Sequence, residues 1–590
     1  MRRATKAASC FLSLDSVNAN RYSAMPLDRR LFLQYCSALG LTGTLFPGVL
    51  YAKIEEGEPI TPETIACAER IAGLSFTEEQ RQMMVEDLTE RLKDYEALRQ
   101  VPLPNDVIPA FVFDPTIGGE PIPEGTAGMR WEPRPVERPR SDEDLAFMTV
   151  AELSYLLKTR QVRSVELTEL YLARLKRYDP VLKAVITYTE ERAMAQAQQA
   201  DEELDAGHWR GPLHGVPYGA KDLLAVPGYR TTWGAKPYEN QVLDVTAAVI
   251  EKLDAAGAVL VAKLTLGALA WGDVWFGGQT KNPWNIEQGS SGSSAGPGAA
   301  VAAGLVPFAI GSETLGSIVS PSTRNGVTGH RPTFGAVSRY GAMTLAWTMD
   351  KLGPMARSAE DCALVFDAIR GHDPRDPSTR DMPFPFDPTF DVRQLRVGYL
   401  AEAFEADYEN READRQTLQV LRELGIDLKP IRLPDDLPVS AMLMTLEVEA
   451  AAAFDELTRT GGVDQMVRQG RNTWPHVFRV ARFVPAVEFL QANRIRTLLM
   501  QRMAEVFREV DVFVSPTFGG GTLQITNLTG HPCVCVPNAF HPLKDNPLSP
   551  RRRPGSITFI GGLYRDAEVL MLAHAYQQAT DFHRRRPPIR

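Results

Sequence analysis

Apolar residues return every three to four positions through "SFTEEQRQMMVEDLTERLKDYEALRQ", the spacing of one helix face, so the polar-rich stretch from Thr61 to Gln100 is expected to be helical. Across residues 101–140 that period is lost among nine prolines, which predicts an extended segment wrapped over other structure. The period resumes at Thr149, whose hydroxyl forms a capping-box pattern with Glu152 ahead of "LSYLLKTR". Ser164 opens a second helix, "VELTELYLARLKRY", and an alanine-rich helix follows over residues 191–206. Short apolar runs punctuated by Gly and Pro come next: "GPLHGVPYGAKDLLAVPG", "AGAVLVAKLT" and "LVPFAIGSE" read as buried strands with their turns. Helices and β-branched runs alternate as far as "DVFVSPT" and "HPCVCVPN", which predicts one large α/β unit.

A chain of 590 residues, 44% hydrophobic and 23% charged, can bury a sizeable core. Its net charge of -9 gives no general attraction for nucleic acid, and no such partner is expected. The arginine runs Arg551 to Arg553 and Arg584 to Arg586 sit among prolines and read as solvated turns. The first fifty residues differ from the rest. Arg29 and Arg30 precede a moderately apolar, glycine-containing stretch with a small residue at Ala52, the pattern of a twin-arginine export signal over residues 1–52. This predicts cleavage near Ala52 and a periplasmic protein, or a cytoplasmic one if the signal does not work. An uncleaved membrane anchor is the alternative, against which Gly40, Gly43, Pro47 and Gly48 weigh; Met25 is an alternative start. Cys10 and Cys36 fall in the leader, leaving Cys67, Cys362, Cys533 and Cys535. Cys533 and Cys535 are expected on opposite sides of a strand and not paired with each other. No CxxC, HExxH or histidine cluster calls for a metal, and no cofactor is expected.

Three stretches could carry chemistry. "EQGSSGSSAGPGAAVAAG" (287–304) contains Gly292-Ser293-Ser294-Ala295-Gly296, which fits the G-x-S-x-G nucleophile elbow, but the residues before it are polar and turn-like where that motif needs a buried strand. "IGSETLGSIVSP" (310–321) packs Gly311, Thr314, Gly316 and Ser317 into a tight turn after an apolar strand; it suits an oxyanion hole, or a strand-to-helix connection that is small only for packing. Lys221 lies inside an apolar run, where burial can turn an ammonium into a usable base; an ion pair with Asp222 is the other reading.

Taken together, "GPLHGVPYGAKDLL", "GSSAGPGAAVAAG", "GSETLGSIVSP" and "GHRPTFGAVSRYG" resemble, in order and spacing, the amidase signature family. The likeness continues through "MDKLGPMARSAEDCALVFDAI", "NLTGHPCVCVP" and "LAHAYQQATDFHRR", and it is loosest over about 375–505. The resemblance implies an α/β fold: a single amidase signature domain over residues 141–590 with a mixed β-sheet core covered by helices on both faces, preceded by a helical and Pro-rich extension over 53–140. It also implies a Ser-cis-Ser-Lys arrangement. The family's lysine falls on Lys221, its bridging serine after a cis peptide on Ser293, and its nucleophile on Ser317, with backbone amides of Thr314, Leu315, Gly316 and Ser317 as the oxyanion hole. Leu315, Glu313 and Val319 stand where the family carries glycine, aspartate and, in many members, arginine. The expected activity is hydrolysis of a small-molecule carboxylic amide, or ester, through an acyl-enzyme. The alternatives are an inactive binding relative and the A subunit of a glutamyl-tRNA amidotransferase. The acyl and amine pockets are expected from residues 375–505 and the N-terminal wrap, and a homodimer is left open.

Overall fold

The structure is a computed structural model that describes residues 59–589; the segment expected to be an export signal, residues 1–52, lies outside the described residues. The described residues fall into two compact units, one ending at Pro102 and the other beginning at Leu103. In the first, helix α1 (Pro62–Ala72) starts at Thr61, whose hydroxyl accepts the Thr64 N–H in a capping box, and ends at Gly73 in the left-handed region at φ 67°. Helix α2 (Glu78–Arg99) follows, and Ile60, Ile65 and Leu92 form a small apolar cluster. The Arg81 side chain closes on Glu69 at 2.8 Å. These are the helices that the three-to-four spacing predicts.

The second unit is built on one sheet of eleven strands. In chain order they are β1 (Val185–Tyr188), β2 (Pro217–Lys221), β3 (Val259–Leu264), β4 (Phe308–Glu313), β5 (Thr328–Arg331) and β6 (Lys351–Ala356). The rest are β7 (Val397–Leu400), β8 (Leu428–Ile431), β9 (Val512–Pro516), β10 (Cys533–Pro542) and β11 (Arg552–Gly561). Across the sheet they run β1-β3-β2-β4-β6-β5-β10-β11-β9-β7-β8. β2 is parallel to both β3 and β4, and β7 to both β8 and β9; β4, β6, β5, β10, β11 and β9 pair antiparallel in succession. The sheet is therefore mixed. One margin is β8, where Lys429 and Pro430 are exposed.

Successive residues of the strands feed opposite layers, as the period of two requires. Phe308, Ile310, Val512, Val514, Val534 and Val536 join one large apolar cluster, while Ala309 joins a second and Phe513 a third. Cys533 and Cys535 both join that third cluster, and both are free thiols. Two positions apart on β10, they share a face, which corrects the expectation of opposite sides. Helix α3 (Val150–Lys158) begins with the Thr149–Glu152 capping box, and α4 (Ser164–Leu182) and α5 (Glu190–Asp205) lie over the second cluster's side. The proline-rich segment is extended and held by side chains. Asn105 bonds both the N–H and C=O of Thr344 (2.6 and 3.0 Å), and buried Glu120 meets His531 at 2.7 Å. Among the described residues no helix is long and apolar enough to cross a membrane.

Candidate active site

Lys221 ends β2, in the interior of the sheet, and is fully buried. Its Nζ lies within hydrogen-bond distance of Ser293 Oγ at 2.8 Å, Ser294 Oγ at 3.0 Å, Ser312 Oγ at 2.8 Å and, weakly, Ser312 O at 3.4 Å; as an ammonium it donates to these oxygens. Pairing of β2 with β4 (Ala220 opposite Ile310) carries Ser312 to the lysine. Among the described residues no carboxylate touches the amine directly. The adjacent Asp222 is engaged elsewhere, by Lys263 Nζ at 2.8 Å and by the Thr232 N–H and hydroxyl at 2.8 and 2.6 Å, so the Lys221–Asp222 ion pair is not formed. Burial drives the Lys221 ammonium well below the usual lysine range, against an opposing pull from the Asp350 and Glu313 charges.

The serine-rich turn lies just ahead of helix α6 (Ala295–Ala302). The Gly292–Ser293 peptide is cis, as the resemblance implies. A Cβ on Gly292 would sit 1.8 Å from the Gly272 carbonyl oxygen, so backbone meets backbone here and only glycine fits. The turn is small because it is wedged, and its Ser293 and Ser294 hydroxyls face the lysine. Ser290, earlier in that turn, instead donates to the Ser291 carbonyl at 3.1 Å.

Ser317 is half-buried in the turn between β4 and helix α7 (Val319–Asn325), and its carbonyl accepts the Ser294 N–H at 3.1 Å. The structure thus brings Lys221 and Ser293 into contact and sets the Ser317 backbone against the residue after Ser293. Among the described residues no hydrogen bond joins the Ser317 and Ser293 hydroxyls. In the same turn the N–H groups of Leu315, Gly316 and Ser317 have no protein acceptor among the described hydrogen bonds. Gly316 adopts φ 86°, a conformation that a side chain strains.

Two carboxylates hold this turn. Glu313 accepts the Ile318 and Val319 N–H groups at 2.9 and 3.0 Å with one oxygen, and Arg331 and Asn527 at 2.9 Å each with the other. Burial pushes its carboxyl up, but the Arg331 charge and these hydrogen bonds outweigh it and bring it to about 2. Asp350 accepts the Thr314 hydroxyl at 2.6 Å and the Leu345 and Ala346 N–H groups at 2.7 and 3.0 Å. Of the departures from the family pattern, Glu313 is the staple just described, Val319 is buried in an apolar cluster, and Leu315 stays partly exposed in the turn. Ser294, Ser312 and Asp350 lie in the quoted stretches, but the sequence assigns them no role because their partners lie on other elements.

A cavity of about 130 Å³ opens beside Ser312 and Thr314. Asp106 and Ile108 of the wrap line it, together with residues between Arg339 and Leu352, while Arg375 and Asp376 are all that the 375–505 region contributes. Asp376 holds the Arg339 guanidinium at 3.0 and 3.1 Å, and the Arg375 guanidinium lies 4.1 Å from the Tyr340 ring centre.

The amidase family model matches residues 166–542. The chain is 35% identical over 486 residues to the A subunit of the glutamyl-tRNA(Gln) amidotransferase from Methylococcus capsulatus, covering 74% of this chain and 98% of that protein. It is 34% identical over 488 residues to the same component from a Roseiflexus species, covering 75% and 98%. Among solved structures, the native peptide amidase of Stenotrophomonas maltophilia aligns with a TM-score of 0.65 at 29% identity, covering 75% of this chain and 98% of its own.

Proposed function

The chain belongs to the amidase family, and from that premise we propose that it is a hydrolase that cleaves carboxylic amides, or esters, through an acyl-enzyme on Ser317. The observation that carries this reading is a fully buried lysine surrounded by serine hydroxyls, with no carboxylate bonded to its amine among the described residues. Neutral Lys221 draws a proton from Ser293 as Ser293 takes one from Ser317, and Ser317 Oγ forms a bond to the substrate carbonyl carbon. The N–H groups of Thr314, Leu315, Gly316 and Ser317 hold the oxyanion; one such donor is worth about 100- to 1,000-fold in rate. The proton returns through Ser293 to the leaving nitrogen as the C–N bond breaks, and water then releases the acid by the same relay. Serine–lysine chemistry of this kind needs no histidine.

A component of a tRNA-dependent amidotransferase is the second reading, favoured by identity over nearly the full length of the curated relatives. The acidic net charge of -9 and the twin-arginine pattern at Arg29 and Arg30, which we take to direct export, favour the hydrolase. A serine-directed fluorophosphonate and a panel of aliphatic, aryl and peptide amides separate the two. Labelling at Ser317 with unaided turnover of simple amides supports the hydrolase; activity confined to glutamine and dependent on partner proteins and tRNA supports the transferase. An unlabelled, inert protein defeats both.

A further inference from the structure

A neutral amine carries two N–H groups and one lone pair, and only one orientation lets Lys221 act as a base toward Ser293. The hydrogen bonds around it fix that orientation. Ser294 gives its only hydroxyl proton to the Ser312 carbonyl at 3.1 Å and accepts the Ser312 N–H at 3.1 Å, so toward the lysine it is an acceptor. Ser293 is 1% exposed, and among the described residues Lys221 is its hydroxyl's sole hydrogen-bond partner. A buried hydroxyl proton needs an acceptor, and the amine lone pair is the one in reach. Ser312 differs: it is 8% exposed and lines the cavity, so its proton can turn to solvent while its oxygen takes the second amine N–H at 2.8 Å.

Resting on the Lys221–Ser293–Ser317 reading, we propose that Ser312, with Ser294, is a positioning residue: the two hydroxyl oxygens hold both amine protons of Lys221 and thereby aim its lone pair at Ser293. When the amine gains a proton, the new N–H faces Ser293 alone, and it is the one returned to the leaving group. Without Ser312 Oγ an amine proton swings toward Ser293 and the lone pair is misdirected. Asp350 and Glu313, the carboxylates whose charges bear on the amine, are bonded to Thr314, Arg331 and backbone, not to Ser312.

Ser312→Thr and Ser312→Val, matched in shape, test this in the full chain, with kcat and KM followed across pH on an amide that the wild type cleaves. Ser312→Thr should keep kcat within about 3-fold. Ser312→Val should lose about 10- to 100-fold in kcat with KM little changed, the loss expected of a misaligned base. Its ascending pH limb should also move to lower pH, because the ammonium loses a charge-assisted acceptor. Wild-type kcat and limb in Ser312→Val would overturn the proposal, as would an equal loss in Ser312→Thr. Should neither isostere fold, Ser312→Ala serves: the same limb shift with at least about 3-fold lower kcat supports the idea, and an unchanged profile sinks it. If wild type itself is neither labelled at Ser317 nor active, the catalytic reading has failed and takes this one with it; labelled wild type beside an unimpaired Ser312→Val defeats this inference alone.

Discussion

At the scale of single residues, the proposed chemistry requires Lys221 to be without its proton, and burial moves that loss toward neutral pH. The ascending limb of the wild-type kcat/KM profile should therefore lie well below the titration of a free lysine at about 10.4. Lys221→Ala should cost roughly 10,000-fold or more in kcat, and a limb left at the free-lysine position would contradict the assignment. Gly316 offers a different probe. At φ 86°, and with a Cβ there only 3.0 Å from Leu523, Gly316→Ala must distort the turn that presents the unpaired N–H groups. We expect kcat to fall about 100-fold, as for loss of one oxyanion donor, with the melting temperature little changed; full activity would remove the turn from the mechanism. Lys221, Ser293 and Ser317 are proposed from the sequence because the family resemblance places a role on each, and the structure sets Lys221 beside Ser293. Ser294, Ser312 and Asp350 lie in quoted stretches too, but no role could be read for them, because their contacts arise where the fold brings together residues far apart in sequence.

At the scale of elements, periodicity and caps foretell structure wherever the signal is local. Helix α3 begins at its capping box, and β2, β3 and β4 fall on the apolar runs. Geometry set by neighbours leaves no such trace. The cavity draws mainly on residues from Arg339 to Leu352, which close the "GHRPTFGAVSRYG" stretch and run into the "MDKLGP" stretch, and only on Arg375 and Asp376 of the divergent region; nothing in those motifs announces a shared cavity. Glu313 is the clearest case of an element held from outside: one carboxylate ties β5, through Arg331, to the start of α7. Glu313→Ala should destabilise by about 3–5 kcal/mol, because it strands the buried Arg331 charge; denaturant titration reads this directly, and a loss under about 1 kcal/mol would make the staple unimportant. The sign of its pH dependence follows from a carboxyl held at about 2 against an ordinary 4.5. The native state binds fewer protons than the unfolded chain in that window, so this stabilisation is present above 4.5 and drains away as pH falls toward 2. Glu313→Gln should flatten that part of the acid-unfolding curve.

At the scale of the whole molecule, the α/β class and the mixed, doubly covered sheet were readable from the alternation of elements and the family resemblance; strand order was not, because it depends on long-range pairing. The export proposed from Arg29 and Arg30 is tested on the full chain. With Arg29 and Arg30 both changed to lysine, we expect the protein to accumulate in the cytoplasm, as cell fractionation would reveal; undiminished periplasmic protein would refute the leader. The exposed margin at β8 has a consequence of its own. Parallel pairing with β7 leaves its outer side open, yet Pro430 offers no amide hydrogen there and Lys429, tied to Glu509 at 2.8 Å, sets a charge on the rim. Neighbouring molecules therefore find no template on which to polymerise, and Pro430→Val should make light scattering rise with concentration where the native chain stays clear.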